Sequence, residues 1–451
     1  MISVIKRDGE IAEFHLSKIT SAITKAFKAT GTGFSNEILE LLALRVTADF
    51  QEKMEDGSIS VEQIQDSVEH VLEQTGYTEV AKAYILYRKQ RERIRNMNTT
   101  ILDYRDVVDR YVRGGERREE DPPVYSVGGL ILSNSGAVTE QYWLSEIYDS
   151  GIADAHRNGQ IHIQDLSMLT GHTCSWSLEQ LLREGLGGVE GMVACAPARH
   201  LAALCNQMVN FLGIMQNEWA GAQSFGSFDT YLAPFVKADR MGDEELKSCM
   251  ESFVYGINIP SRWGTQALCV HIGLDGTVPD RLRTVPAIAG GRDLDFCYGD
   301  CQPELDRIGQ ALRQVLKAGD AAGRSFPYPV VELGVGKMPE NTGSIGTVAV
   351  SLKAGELSRE ELAGRLELAA RALQVKRRVL NAFLQNGLYP YTWRYLGTLK
   401  NHRSVILLTG AGDLEPAEKE ALCSWARACL EERQAGETKY LEIEIEAGMG
   451  Q

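Results

Sequence analysis

Two cations stand beside a glycine turn near the start of the chain, in Val4-Ile5-Lys6-Arg7-Asp8-Gly9. Backbone N–H groups at such a turn can approach phosphate oxygens while Lys and Arg neutralise their charge, so the segment suits a triphosphate. The same residues also make a plain solvated hairpin tip. Cys174 precedes Trp176-Ser177-Leu178, where a thiol can donate a hydrogen atom or pack as a small hydrophobe. Thr342-Gly343-Ser344-Ile345-Gly346 offers backbone amides and two hydroxyls to a phosphate, or a glycine turn leading into the apolar run Val348 to Leu352. Gln223, Ser224, Ser227 and Asp229 bring amide, hydroxyl and carboxylate groups able to read a base or ribose, or to act as caps and turn formers.

The first hundred residues predict a small hairpin and four helices. Ser3 to Ile5 suits a strand, Asp8-Gly9 is a tight-turn signal, and Ile11 to Phe14 returns as its partner. Ser17 can cap a helix carrying Ile19, Ala22, Ile23, Ala26 and Phe27, ended by Gly31 and Gly33. A second helix is expected over 36–54, a third opening at Ser60-Val61, and a fourth from Thr78 after Gly76. The basic stretch RKQRERIRNMN at 88–98 reads as a solvated helix end complementing the dipole. Asp121-Pro122-Pro123 breaks any helix and marks a linker. From Val124 onward apolar helices alternate with short Gly-bounded apolar runs, the pattern of an α/β architecture.

At 451 residues with 44% hydrophobic content, the chain must form at least two domains with ample core. Its formal net charge of -14 argues against broad electrostatic binding to nucleic acid. No segment offers the long charge-free apolar run of a membrane helix or a signal peptide, so a cytoplasmic location without membrane contact is expected. Nine scattered cysteines fit reduced thiols rather than a disulfide framework. The nearest pairs, Cys297 with Cys301 and Cys423 with Cys429, lack the two-residue spacing of zinc knuckles, and no metal is expected.

An ordered series of strings carries a family resemblance. VIKRDG, followed by Phe14 and the Lys18-Ile19 helix start, looks like the ATP-cone of many ribonucleotide reductases. AVTEQYWLSEIY, AHRNGQIHIQDL, CSWSLEQLLREGLGG, NEWAGAQSFGSFDTYLAPFV, NIPSRWGTQ, AGDAAGRSFPYP, TGSIGTVAVSL and NGLYPYTWRYLGTLKNH resemble the anaerobic (class III) ribonucleoside-triphosphate reductases in order and content. The resemblance implies an α/β fold: a mostly helical cone with a small β-hairpin over 1–97, a linker over 98–123, and a shortened ten-stranded α/β barrel of the glycyl-radical type over 124–451. It implies ATP or dATP as allosteric ligand, with Lys6, Arg7 and Lys18 on the phosphates. Cys174 matches the second catalytic cysteine, and Thr342 to Gly346 matches the hydroxyl turn near the substrate. Gln223, Ser224 and Asp229 fall in the segment near the effector nucleotide, where a homodimer contact is also expected.

The pattern is broken where the chemistry should be. Between Pro329 and Thr342 lies only VVELGVGKMPEN, where the family places a long segment containing its thiyl cysteine. No cysteine occurs between 301 and 423, and a hydroxyl cannot replace it because its O–H bond is stronger than S–H. Gly448 and Gly450 lack the Arg-Val-Cys-Gly context of a radical glycine, and Gln164 stands where a second histidine would fall. Whether the chain is an enzyme is thus left open by its sequence. The expected reading is a silent reductase relative that binds nucleoside triphosphates and partners an active anaerobic reductase or its activating enzyme. The alternatives are an active reductase making deoxyribonucleotides with a partner or activating enzyme, and a non-catalytic dimeric scaffold.

Overall fold

The structure, a computed structural model, describes residues 3–5, 11–51, 53–54, 57–89, 108, 111–112, 126–259, 267–336, 338–352, 358–410, 414–432 and 443–447. The chain divides into two compact units, Met1–Asp103 and Tyr104–Gln451. Lys6, Arg7, Gly448, Gly450 and most of the expected linker lie outside the described residues.

In the first unit, β1 (Ser3–Ile5) pairs antiparallel with β2 (Ile11–Glu13) and parallel with β3 (Ser58–Ser60). Four helices follow the expected pattern: α1 (Leu16–Thr30), α2 (Asn36–Gln51), α3 (Val61–Gln74) and α4 over 78–89. Helix α1 starts at Leu16, ahead of the expected Ser17 cap, and its N-cap His15 makes no side-chain capping bond. Gly31 ends it at φ 67, a left-handed conformation that costs glycine nothing. Ser60 caps α3 in a reciprocal capping box with Gln63, which satisfies two otherwise orphaned donors. Ile23, Phe27, Val46, Phe50 and Leu72 are buried where these helices meet. Asp49 pairs with Lys53 (2.7 Å) at the end of α2 and is tied to α3 through His70 (2.9 Å). Burial raises the Asp49 carboxyl, but hydrogen bonds from Lys53, Ser67 and His70 outweigh it and hold the group at about 2.

The second unit is built on an eight-stranded sheet. Strands β5 (Thr173–Trp176), β6 (Gln223–Phe225), β7 (Val270–Leu274) and β10 (Val330–Leu333) run parallel in the order β10-β7-β6-β5. Strands β11 (Thr342–Ser351), β12 (His402–Thr409) and β13 (Ile443–Ala447) form a second parallel block. The blocks meet antiparallel at β5 and β11, with Cys174 opposite Gly343, and β4 (His162–Ile163) also pairs with β11. A separate hairpin joins β8 (Pro286–Ala289) and β9 (Arg292–Cys297). Apolar sheet residues such as Trp176, Phe225, Val348 and Ile406 are buried in one core with Phe211 and Met208 of α8 (Leu201–Met215) and Leu366 of α13 (Arg359–Gln385).

Two expectations change here. A closed ten-stranded barrel is not traced by the described residues: the main sheet has eight strands, the other two form a separate hairpin, and the outer strands β10 and β13 are not paired with each other. The Thr342–Gly346 stretch is not a turn but the first half of β11, hydrogen-bonded on both sides, with a register shift between Ser344 and Gly346. Strand pairing explains the glycine at 343. A Cβ there would lie 2.0 Å from the Thr173 carbonyl oxygen, so only glycine lets the two blocks approach.

Candidate functional site

In the first unit a cavity of about 210 Å³ opens between the hairpin, α1, α3 and α4. Its walls are apolar, from Val4, Phe14, Ile19, Ile64 and Val68, and Lys18, His15 and Glu13 stand at its lining. Of the three predicted phosphate ligands, Lys18 is therefore at a cavity, while Lys6 and Arg7 are outside the described residues.

The second unit treats its cysteine oppositely. Cys174 is buried, and its Sγ lies 3.4 Å from Nε2 of His402. The imidazole stacks on Trp219, with centroids 5.0 Å apart at 30°. The Trp219 indole donates to Thr392 Oγ1 at 2.9 Å. Glu218 fixes that region by accepting from the backbone N–H groups of Tyr391 and Thr392 at 3.0 and 2.7 Å, at the start of α14 (Pro390–Tyr395). Burial pushes the Cys174 thiol well up from its usual range. Burial, reinforced by the Arg377 charge, lowers His402 to about 4. The pair is thus a neutral thiol beside a neutral imidazole, unlike the thiolate–imidazolium pair that makes a cysteine nucleophilic.

The other predicted residues have internal partners. Gln223 accepts from the Trp176 indole at 2.7 Å and donates to Gly221 O at 3.0 Å. Asp229 accepts from the backbone N–H groups of Asp275, Gly276 and Thr230, at 2.8, 2.9 and 3.0 Å, which pins the turn after β7. Ser224 Oγ lies 3.5 Å from Cys174 O, and Ser227, at φ 49, accepts from Arg281 at 3.2 Å. Thr342 Oγ1 donates to Pro339 O at 2.8 Å. Ser344 Oγ contacts Gly346 O at 3.4 Å, Ile345 is buried, and a Cβ on Gly346 would lie 2.9 Å from Lys376 Nζ. Cys174, Gly343 and His402 come together in the sheet; Asp229 belongs to a different turn.

Two buried groups had no sequence signal. His402 is 228 residues from Cys174, and no local spacing connects them. Lys376 sits mid-helix in a run of charged residues that reads as solvated, yet it is buried over Gly346 and reaches Gln164 O at 3.4 Å. Burial lowers its ammonium to about 8, against the pull of Asp165.

The connection from β10 to β11 is short. Residues 334–341 must pass four interstrand spacings, about 19 Å, and eight residues reach at most about 28 Å. Gly334 N donates to Leu274 O at 2.9 Å, and Asn341 N donates to Ser175 O at 2.7 Å. Met338 lies so close over Gly226 that a Cβ there would meet its carbonyl oxygen at 2.2 Å.

Residues 2–93 match the profile of the ATP cone domain, and residues 124–341 match that of the anaerobic ribonucleoside-triphosphate reductase. The chain carries an ATP cone and a reductase-family region. The anaerobic ribonucleoside-triphosphate reductase of Haemophilus influenzae is 26% identical over 258 residues, 55% of this chain but 35% of that protein. The ribonucleoside-diphosphate reductase subunit alpha of Chlamydia muridarum is 39% identical over 103 residues, 21% of this chain and 10% of that one. The chain therefore matches about a third or less of the length of these relatives. Among solved structures, the anaerobic ribonucleotide reductase of Thermotoga maritima with glycerol in its active site shares the fold, at a TM-score of 0.61 and 17% identity over 79% of this chain and 76% of that one. The same enzyme with dATP in its specificity site gives 0.59 and 16%, over 79% and 76%.

Proposed function

We propose that this chain binds ATP or dATP in its cone and that its reductase-family region does not reduce ribose. The observation that carries the first part is the apolar cavity with Lys18 at its lining: a base fits the cavity, and Lys6, Arg7 and Lys18 take the phosphates as charge-assisted donors. The second part is supported by the short 334–341 connection and by the absence of any cysteine between 301 and 423. A strap of that length spans the strand ends with too little slack for a long loop carrying a thiol. Cys174, sealed against His402, fits a packing role. The chain then acts in the cytoplasm as a homodimeric nucleotide-sensing partner of an active anaerobic reductase or its activating enzyme, on a family barrel that the described strands only partly trace. Gln223 and Ser224 on the interior strand β6, with Asp229 just beyond it, are the groups from which an effector nucleotide would be read.

Calorimetric titration of the full chain with ATP and dATP tests the cone. Saturable binding is expected, and Lys18→Ala should weaken it roughly tenfold, the worth of one charged hydrogen bond. Unchanged affinity in that variant removes Lys18 from the site, and no saturable binding at all leaves the scaffold reading. Retained Cys174 and the shared fold favour one competing reading, an active reductase. Anaerobic incubation with an activating enzyme, read by electron paramagnetic resonance and by deoxyribonucleotide formation, should give neither radical nor product; product would refute the silent reading.

A further inference from the structure

Cys297 and Cys301 bracket one tight turn, Tyr298–Cys301, which leads from strand β9 into helix α12 (Gln302–Ala318). All nine cysteines are free thiols, and this pair differs from the rest. Cys174, Cys205 and Cys249 are buried. Cys423 and Cys429 are six residues apart on α15 (Pro416–Glu432), which at about 100° per residue sets them on different sides of the helix. In the turn, a part-exposed thiol at 297 stands four residues before a fully buried one at 301.

Sγ of Cys301 points back along the chain to the carbonyl oxygen of Cys297, at 3.6 Å. A carbonyl oxygen lies about 2.4 Å from its own Cα, so this sulfur is within about 6 Å of the Cys297 Cα. Sγ of Cys297 contacts Thr284 O at 3.5 Å. A thiol is a weak donor, and a change of χ1 frees it to turn toward Cys301.

The rest of the turn is already held. Asp300 Oδ2 accepts from Cys297 N at 2.9 Å, Tyr298 N donates to Val285 O at 3.1 Å, and Lys237 of α9 (Phe228–Ala238) donates to Asp300 O. Gly299 is pressed so closely on Arg283 that a Cβ would lie 2.5 Å from its carbonyl oxygen. A bridge formed here therefore needs little further ordering of the backbone. It closes a loop of only five residues, Cys297 to Cys301, so it constrains the unfolded chain weakly and stays reversible.

We propose that Cys297 and Cys301 form a thiol–disulfide exchange site for a low-molecular-weight disulfide. Burial pushes the Cys301 thiol up to about 12, against the pull of Lys237, so Cys301 waits as a neutral thiol and the part-exposed Cys297 reacts first. The Cys297 thiolate attacks one sulfur of the small disulfide, forming a mixed disulfide and releasing one small thiol. Cys301 then gives up its proton and attacks the Cys297 sulfur, which closes the internal bridge and releases the second small thiol. The two cysteines lose two electrons and two protons, and the small disulfide takes up both.

Equilibration of the full chain with excess oxidised glutathione, followed by acid quenching, alkylation in denaturant and peptide mass spectrometry, tests the site. The peptide spanning 297–301 should lose both thiol hydrogens and carry neither alkyl group nor glutathione, with exposed Cys195 as the reference for a simple adduct. Cys301→Ser should trap one glutathione on Cys297, and Cys297→Ser should leave Cys301 unmodified. The wild-type result stands whether or not either variant folds. Two alkylated cysteines in that peptide, or Cys297 bridged to a cysteine outside the turn, would overturn the site. A wild-type bridge with no adduct on Cys297 in Cys301→Ser would overturn the order of attack.

Discussion

The cone and the reductase-family region place their polar groups in opposite ways. The cone keeps Lys18 at the lining of an apolar cavity, where the proposed nucleotide would supply its partner. The sheet turns Cys174 against the His402 imidazole and stacks the Trp219 indole on that ring, filling the site with protein atoms while leaving His402 Nδ1 buried without a hydrogen-bond partner. A pocket waiting for a ligand and a pocket filled by its own chain can share a family resemblance. They differ in whether protein side chains occupy the space.

The widest separation should come from charge removal in the cone. Lys6→Ala, Arg7→Ala, Lys18→Ala in one chain is expected to weaken ATP binding about a thousandfold or more by calorimetry, since three charge-assisted contacts are lost. The same variant should leave the thermal transition of the reductase-family region in place; a shift there would blur the contrast.

His402→Ala comes next. Deleting a buried ring stacked on Trp219 should lower stability by about 3 kcal/mol in denaturant titration. The wild-type pH profile sharpens the point. His402 is held at about 4 in the folded chain against about 6.5 unfolded. Its contribution is complete above 6.5 and is lost as pH falls from there through 4, because the unfolded chain takes up the proton first. The variant should lack that part of the slope.

Cys174→Ala should cost only about 1 kcal/mol, as for a small buried hydrophobe. The wild-type thiol should resist alkylation until the chain is unfolded, and rapid labelling of native Cys174 would mean the site is open. Smallest of all, Asp49→Asn should change stability by less than about 1 kcal/mol at neutral pH, as for a part-exposed ion pair. Its depressed carboxyl contributes above 3.8, and that contribution fades as pH drops toward about 2.

Local signals carried the cone well. Apolar periodicity, Ser60 and Gly31 gave its helices and two of their ends, because capping and left-handed glycine act within a few residues. The sheet was legible as α/β but not in its order, since strand pairing joins residues hundreds of positions apart. Thr342 to Gly346 read as a turn because glycine is the commonest turn former. What glycine supplies there is room for the Thr173 backbone, a tertiary fact. For the same reason His402 and Lys376 were invisible as site residues, whereas Cys174 as a packed thiol was among the readings its type allowed.

One contact has a wider meaning for how such a fold drifts. Lys376 anchors the long helix α13 on the carbonyl oxygen of Gln164, an atom that every amino acid possesses. The side chain at 164 is then released from any duty to hold the helix. A position of this kind can exchange one side chain for another without loosening the scaffold.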